Sequence, residues 1–154
     1  MKHPSQKIAR EYFLAALPLF FLQVVFGLLA SVKYVWGYDP LLNLAPFNIA
    51  RTIHLNLLVF WLLLALMGAT YYMVADELDT DIYSVRLARL QLWILLVSGV
   101  AAIIGYFFHW SFGMPFLEQP TLIKVAIVVA ALIFLYNIAM TMFTNHHKIG
   151  RAHV

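Results

Sequence analysis

Arg51 and His54 are the two side chains whose types and spacing most plainly suggest chemistry. They lie three residues apart in Pro46-Phe47-Asn48-Ile49-Ala50-Arg51-Thr52-Ile53-His54-Leu55-Asn56, which runs straight into the apolar stretch Leu57 to Val74. Three-residue spacing puts both on one helix face. The stretch is long enough to cross a bilayer, where an imidazole is costly unless something satisfies it. A haem iron would take a ring nitrogen, and an arginine one turn nearer the water would suit a haem propionate. A hydrogen bond to a neighbouring helix would satisfy the ring equally well. Spacing alone leaves both open.

Other polar groups carry weaker signals. The run Asp76-Glu77-Leu78-Asp79-Thr80-Asp81 could hold a metal or admit protons, but it reads more simply as a solvated loop that supplies an N-cap to the next helix. Glu118 stands just before an apolar run, where a carboxylate also favours the positive end of a helix dipole. His109 would close the third apolar segment roughly level with His54, so a bis-histidine haem across a four-helix bundle is a second arrangement to test. His146 and His147 are adjacent, cannot share a helix face, and read as solvated. The absence of cysteine excludes disulfides, iron–sulfur clusters and covalently attached c-type haem.

The elements that must position these groups follow from hydropathy. With 64% hydrophobic and 11% charged residues, 154 residues cannot hide their apolar surface in a soluble fold, so the class is a polytopic, all-α membrane protein. Four segments, about 12–34, 50–74, 87–109 and 121–143, each have the roughly twenty residues that cross about 30 Å of hydrocarbon. Pro18 falls inside the first, as membrane helices tolerate. The basic start, Met1 to Arg10, precedes an apolar run too long for a signal-peptide core and lacking a small-residue cleavage site. Turn residues separate the spans at Gly37–Pro40 and Ser111–Pro120, and one membrane domain is expected.

Lys2, Lys7, Arg10, Arg86, Arg89 and Lys148 fall on one side of these spans, against Lys33, Arg51 and Lys124 on the other. That asymmetry puts the N-terminus in the cytoplasm. His54 then lies one turn below the outer surface, with Trp36, Tyr38 and Trp110 at the same boundary. Basic residues that flank apolar spans are topology signals, so no nucleic-acid partner is expected; the bilayer is.

Several segments together carry a family resemblance. They are Phe47 to Leu58 as quoted above, Trp61-Leu62-Leu63, Met67-Gly68-Ala69-Thr70-Tyr71-Tyr72-Met73-Val74, Phe116-Leu117-Glu118-Gln119-Pro120-Thr121, and Phe134-Leu135-Tyr136-Asn137-Ile138-Ala139-Met140-Thr141. Across about Ala9 to Met142 the chain resembles the catalytic large subunit of the cytochrome c-dependent bacterial nitric oxide reductases, in the haem–copper oxidase superfamily.

The resemblance implies the N-terminal part of a bundle of about twelve helices in the bacterial inner membrane. It implies His54 as an axial ligand of low-spin haem b, Arg51 near the haem propionates, and Glu118 in proton delivery. It also implies electrons from a membrane-anchored cytochrome c subunit. A high-spin haem b and a non-haem iron, held by later helices of the same subunit, would reduce two NO to nitrous oxide and water. No catalytic residue is then expected in this stretch. The family's structural calcium is in doubt, because Pro115 stands where a ligating glutamate is usual, and Ala75-Asp76-Glu77 replaces a common Pro-Glu-Glu. The ending Ile149-Gly150-Arg151-Ala152-His153-Val154 reads as sequencing-adapter read-through, so His153 enters no metal argument and native sequence is expected to end near His147. An oxygen-reducing relative and a self-contained four-helix cytochrome b are the alternatives.

Overall fold

The computed structural model of the protein describes residues 3–37 and 45–145. Four helices account for nearly all of them: α1 (Pro4–Trp36), α2 (Phe47–Glu77), α3 (Val85–Phe107) and α4 (Thr121–Thr144). All four are long and apolar enough to span a membrane. The expectations for Tyr38 to Pro40, His146, His147, Lys148 and the tail from Ile149 to Val154 fall outside the described residues.

α1 and α2, at 33 and 31 residues, are each close to 50 Å long, well beyond the hydrocarbon core. α1 begins eight residues before the expected span, because its polar start is itself helical. Pro4 occupies the first turn, where its missing N–H leaves nothing unpaired, and Gln6 Oε1 accepts from the His3 N–H at 3.4 Å. Gly37 closes α1 in the left-handed region (φ 73°), donating its N–H to the Lys33 carbonyl at 3.0 Å.

The acidic turn departs from expectation. Asp76 and Glu77 belong to the last turn of α2, and Asp79 and Asp81 fold back on the start of α1. Asp81 Oδ1 accepts from the Ser5 N–H at 3.0 Å and from the Ser5 hydroxyl at 2.6 Å. His3 Nε2 lies 3.1 Å from Asp79 Oδ1, and Gln6 Nε2 donates to Asp76 at 3.3 Å. Unpaired N–H groups and the positive end of the helix dipole draw carboxylates there. The N-cap of α3 is Ser84, whose hydroxyl accepts from the Leu87 N–H at 3.2 Å.

The core has two centres. One, around Ile8, Tyr12, Leu64, Tyr71, Leu92 and Leu95, lies towards the acidic turn. The other, around Ile49, Ala50, Ile53, Leu57, Ala102 and Tyr106, lies towards the opposite end. α1 packs chiefly on α2, and α3 on α4. Gly68 permits the first pairing, since a Cβ there would stand 2.8 Å from the Tyr12 Cβ. Asn137, fully buried on α4, fastens the second pairing at the N-cap of α3: its Oδ1 accepts from the Ser84 N–H and its Nδ2 donates to the Ser84 carbonyl, both at 2.9 Å. The outward faces of α1 and α4 expose Phe21, Leu28, Leu122 and Phe143, a surface suited to lipid or further helices and not to water.

Candidate functional site

His54 sits two turns into α2, on the side that faces α1. Its Nδ1 lies 2.8 Å from the backbone carbonyl of Gln23 on α1, with the Gln23 side-chain amide 3.2 Å from the same nitrogen. A carbonyl can only accept, so Nδ1 carries the proton and a neutral ring keeps its lone pair on Nε2. The described residues offer Nε2 no hydrogen bond. The neighbouring-helix bond raised by the sequence is therefore present, and it leaves the opposite nitrogen available as a ligand. The two readings of His54 are compatible.

The ring reaches that carbonyl because residue 27 is glycine. A Cβ on Gly27 would stand 2.6 Å from Nδ1 and 2.7 Å from Cε1 of His54, closer than van der Waals contact permits. A groove of about 600 Å³ opens between α1 and α2 beside this contact. Gln23, Gly27, Tyr34, Phe47, Arg51 and His54 are among its lining residues. Arg51 and His54 thus share one wall, as their spacing predicts. Arg51 is exposed, with no ion pair among the described residues.

Glu118 is placed differently from a loop carboxylate at a helix dipole. It is buried, and its Oε2 accepts from Asn56 Nδ2 at 2.8 Å. The same amide group donates to the Thr52 carbonyl at 2.9 Å, and Asn56 Oδ1 accepts from Gln119 Nε2. The loop before α4 is thereby pinned to the side of α2 away from α1. Tyr106, in electrostatic reach of Glu118, is buried with its hydroxyl unpaired.

His109 does not join His54. α3 stops at Phe107, and His109 follows it with φ 60° as an exposed residue. It lines a cavity of about 30 Å³ with Asn48, Thr52, Tyr106 and Ser111, separate from the α1–α2 groove. A bis-histidine pair across the bundle is not what the side chains form. No three His, Asp or Glu side chains converge among the described residues.

Sequence reasoning missed Gly27, Gln23, Asn56 and Asn137. The polar three carried a usable signal, since an amide inside an apolar span needs a partner. Gly27 carried none.

The donor set fits a haem. It offers a neutral imidazole with a free Nε2 on the wall of an apolar groove, held by a backbone carbonyl on its other nitrogen, and an uncommitted guanidinium on the same wall.

Comparison with known proteins gives the same direction. Residues 7–153 match the family model described as cytochrome c and quinol oxidase polypeptide I. The chain is 46% identical over 163 aligned positions to a nitric oxide reductase subunit of Stutzerimonas stutzeri. That alignment takes in 97% of this chain and 34% of the relative, so the chain spans about a third of the relative's length.

Proposed function

The chain belongs to the cytochrome c and quinol oxidase polypeptide I family, and from that premise we propose that it forms the electron-entry part of a nitric oxide reductase membrane subunit. The observation that carries this is the His54 imidazole, with Nδ1 committed to the Gln23 carbonyl and Nε2 free beside the α1–α2 groove. His54 would hold the iron of a low-spin haem b through Nε2, and Arg51 would hold the haem propionates. When bound, this haem supplies a one-electron carrier. The protein's part is to fix the ligand's tautomer, line the groove with apolar residues and keep a cation where carboxylates reach the surface.

The remainder of the reading rests on similarity to the reductase. The full subunit would take electrons from a membrane-anchored cytochrome c partner, and its later helices would hold a high-spin haem b and a non-haem iron that supply the reduction of two NO, with two electrons and two protons, to nitrous oxide and water. It lies in the bacterial inner membrane with the start of α1 on the cytoplasmic side. Glu118 delivers protons towards that centre; its burial beside the unpaired Tyr106 hydroxyl supports this role.

The test uses the complete subunit in membranes. Reduced cytochrome c should drive NO consumption with release of nitrous oxide, and His54→Ala should abolish the low-spin haem spectrum while the protein still inserts. A His54→Ala protein with an unchanged six-coordinate spectrum would overturn the ligand assignment. Oxygen consumption without NO consumption would move the chain to an oxygen-reducing relative.

A further inference from the structure

We infer that Gly27 and the backbone carbonyl of Gln23 form a socket on α1 that sets the tautomer and donor strength of His54, making Gly27 a positioning residue for the metal-ligand nitrogen. The inference rests on His54 being a haem ligand and deepens that reading.

The argument begins with helix geometry. Within α1, the carbonyl of residue 23 is the acceptor for the N–H of residue 27, four positions on. A carbonyl oxygen has a second lone pair, but in a helix the side chain at the following turn crowds the approach to it. At residue 27 there is no side chain. The His54 ring occupies the space a Cβ would fill, its Nδ1 and Cε1 lying 2.6 and 2.7 Å from that point. From there Nδ1 reaches the Gln23 oxygen at 2.8 Å.

An Nδ1–H donated to a carbonyl fixes the proton on that nitrogen, orients the ring and raises the basicity of Nε2. A more basic ligand favours the oxidised metal. The socket therefore holds the potential of the bound haem lower than an unbonded imidazole would. The Gln23 side-chain amide, 3.2 Å from the same nitrogen, cannot donate to a protonated Nδ1 and is not part of the socket.

The test compares haem-loaded complete subunits by redox titration and by redox-induced infrared difference spectra with labelled histidine. Gly27→Ala should raise the midpoint potential of the low-spin haem and move the histidine ring mode to its unbonded position. Gln23→Leu, which keeps the carbonyl, should leave both unchanged. Gly68→Ala strains the same α1–α2 interface at Tyr12, remote from the imidazole, and should lower stability without moving the ring mode.

An unmoved potential in Gly27→Ala would overturn the socket, as would an equal shift in Gln23→Leu or Gly68→Ala. Should Gly27→Ala fail to insert, the wild-type spectrum decides alone: a ring mode at the hydrogen-bonded position supports the socket, and one at the free position refutes it. His54→Ala measured alongside separates the two levels. Retention of the low-spin spectrum there would sink the ligand assignment, whereas its loss beside a silent Gly27→Ala would sink only the socket.

Discussion

Two close approaches join α1 to α2, one at each end of the pair, and they are built for different ends. At Gly68 the missing Cβ makes room for Tyr12 and the Ala9 carbonyl, in a region whose buried polar side chains are paired save for the Trp61 indole N–H. Tyr12 donates to the Ala88 carbonyl at 2.7 Å, Tyr71 to Gln91 at 2.7 Å, and Asp81 caps Ser5. At Gly27 the missing Cβ makes room for an imidazole, in a region that keeps polar groups in reserve: His54 Nε2, the Arg51 guanidinium and the Tyr106 hydroxyl. Paired polar groups hold a bundle together, while unspent ones beside a groove are what a cofactor or a proton can use.

That contrast makes separable predictions. The largest effect is at the groove: His54→Ala should eliminate the low-spin haem signal yet leave the thermal midpoint of the apoprotein within a few degrees, read by optical and circular dichroism spectra of the same detergent sample. Next is Asn137→Leu at the paired end. It removes both bonds to half-buried Ser84, leaving its N–H without a partner while its carbonyl keeps the Ala88 N–H, and should destabilise the bundle by roughly 1–3 kcal/mol with haem affinity intact. Asp81→Ala removes the acceptor at the start of α1 and should lower stability by about 1 kcal/mol, measured as a shift in Tm. The smallest is Arg89→Ala: its pair with Glu11 (2.8 Å) is exposed, so Tm should not change measurably. Haem loss in Asn137→Leu without unfolding would break the division between the two ends.

The sequence was most legible where apolar length alone decides. Four spans follow from hydropathy because each helix must satisfy its own backbone in lipid. The pairing of Arg51 with His54 on one wall followed from helical spacing, and the haem reading from family resemblance. What escaped were contacts between positions far apart in the chain. Asp81 reads as a loop residue until α1 is placed beside it, and Ser84, not an acidic residue, proved to be the cap of α3. Gly27 is silent because a glycine within an apolar run looks the same whether it faces lipid or an imidazole. His109 misled for the opposite reason: its place near the end of the third span was legible, but α3 ends two residues earlier and turns it to another cavity.

The bond between Ser5 and Asp81 spans 76 positions, as does that between Tyr12 and Ala88. During synthesis the beginning of α1 therefore waits for its partners. At about 5–20 residues per second, the interval from residue 5 to residue 81 is roughly 4–15 s. Through that time α1 can lean only on α2 as it emerges, and the order of manufacture makes the α1–α2 pair, with its imidazole seat, the first tertiary unit the nascent chain can complete. The acidic turn then acts as a late latch, closing the start of the first helix only when the third is about to enter the membrane.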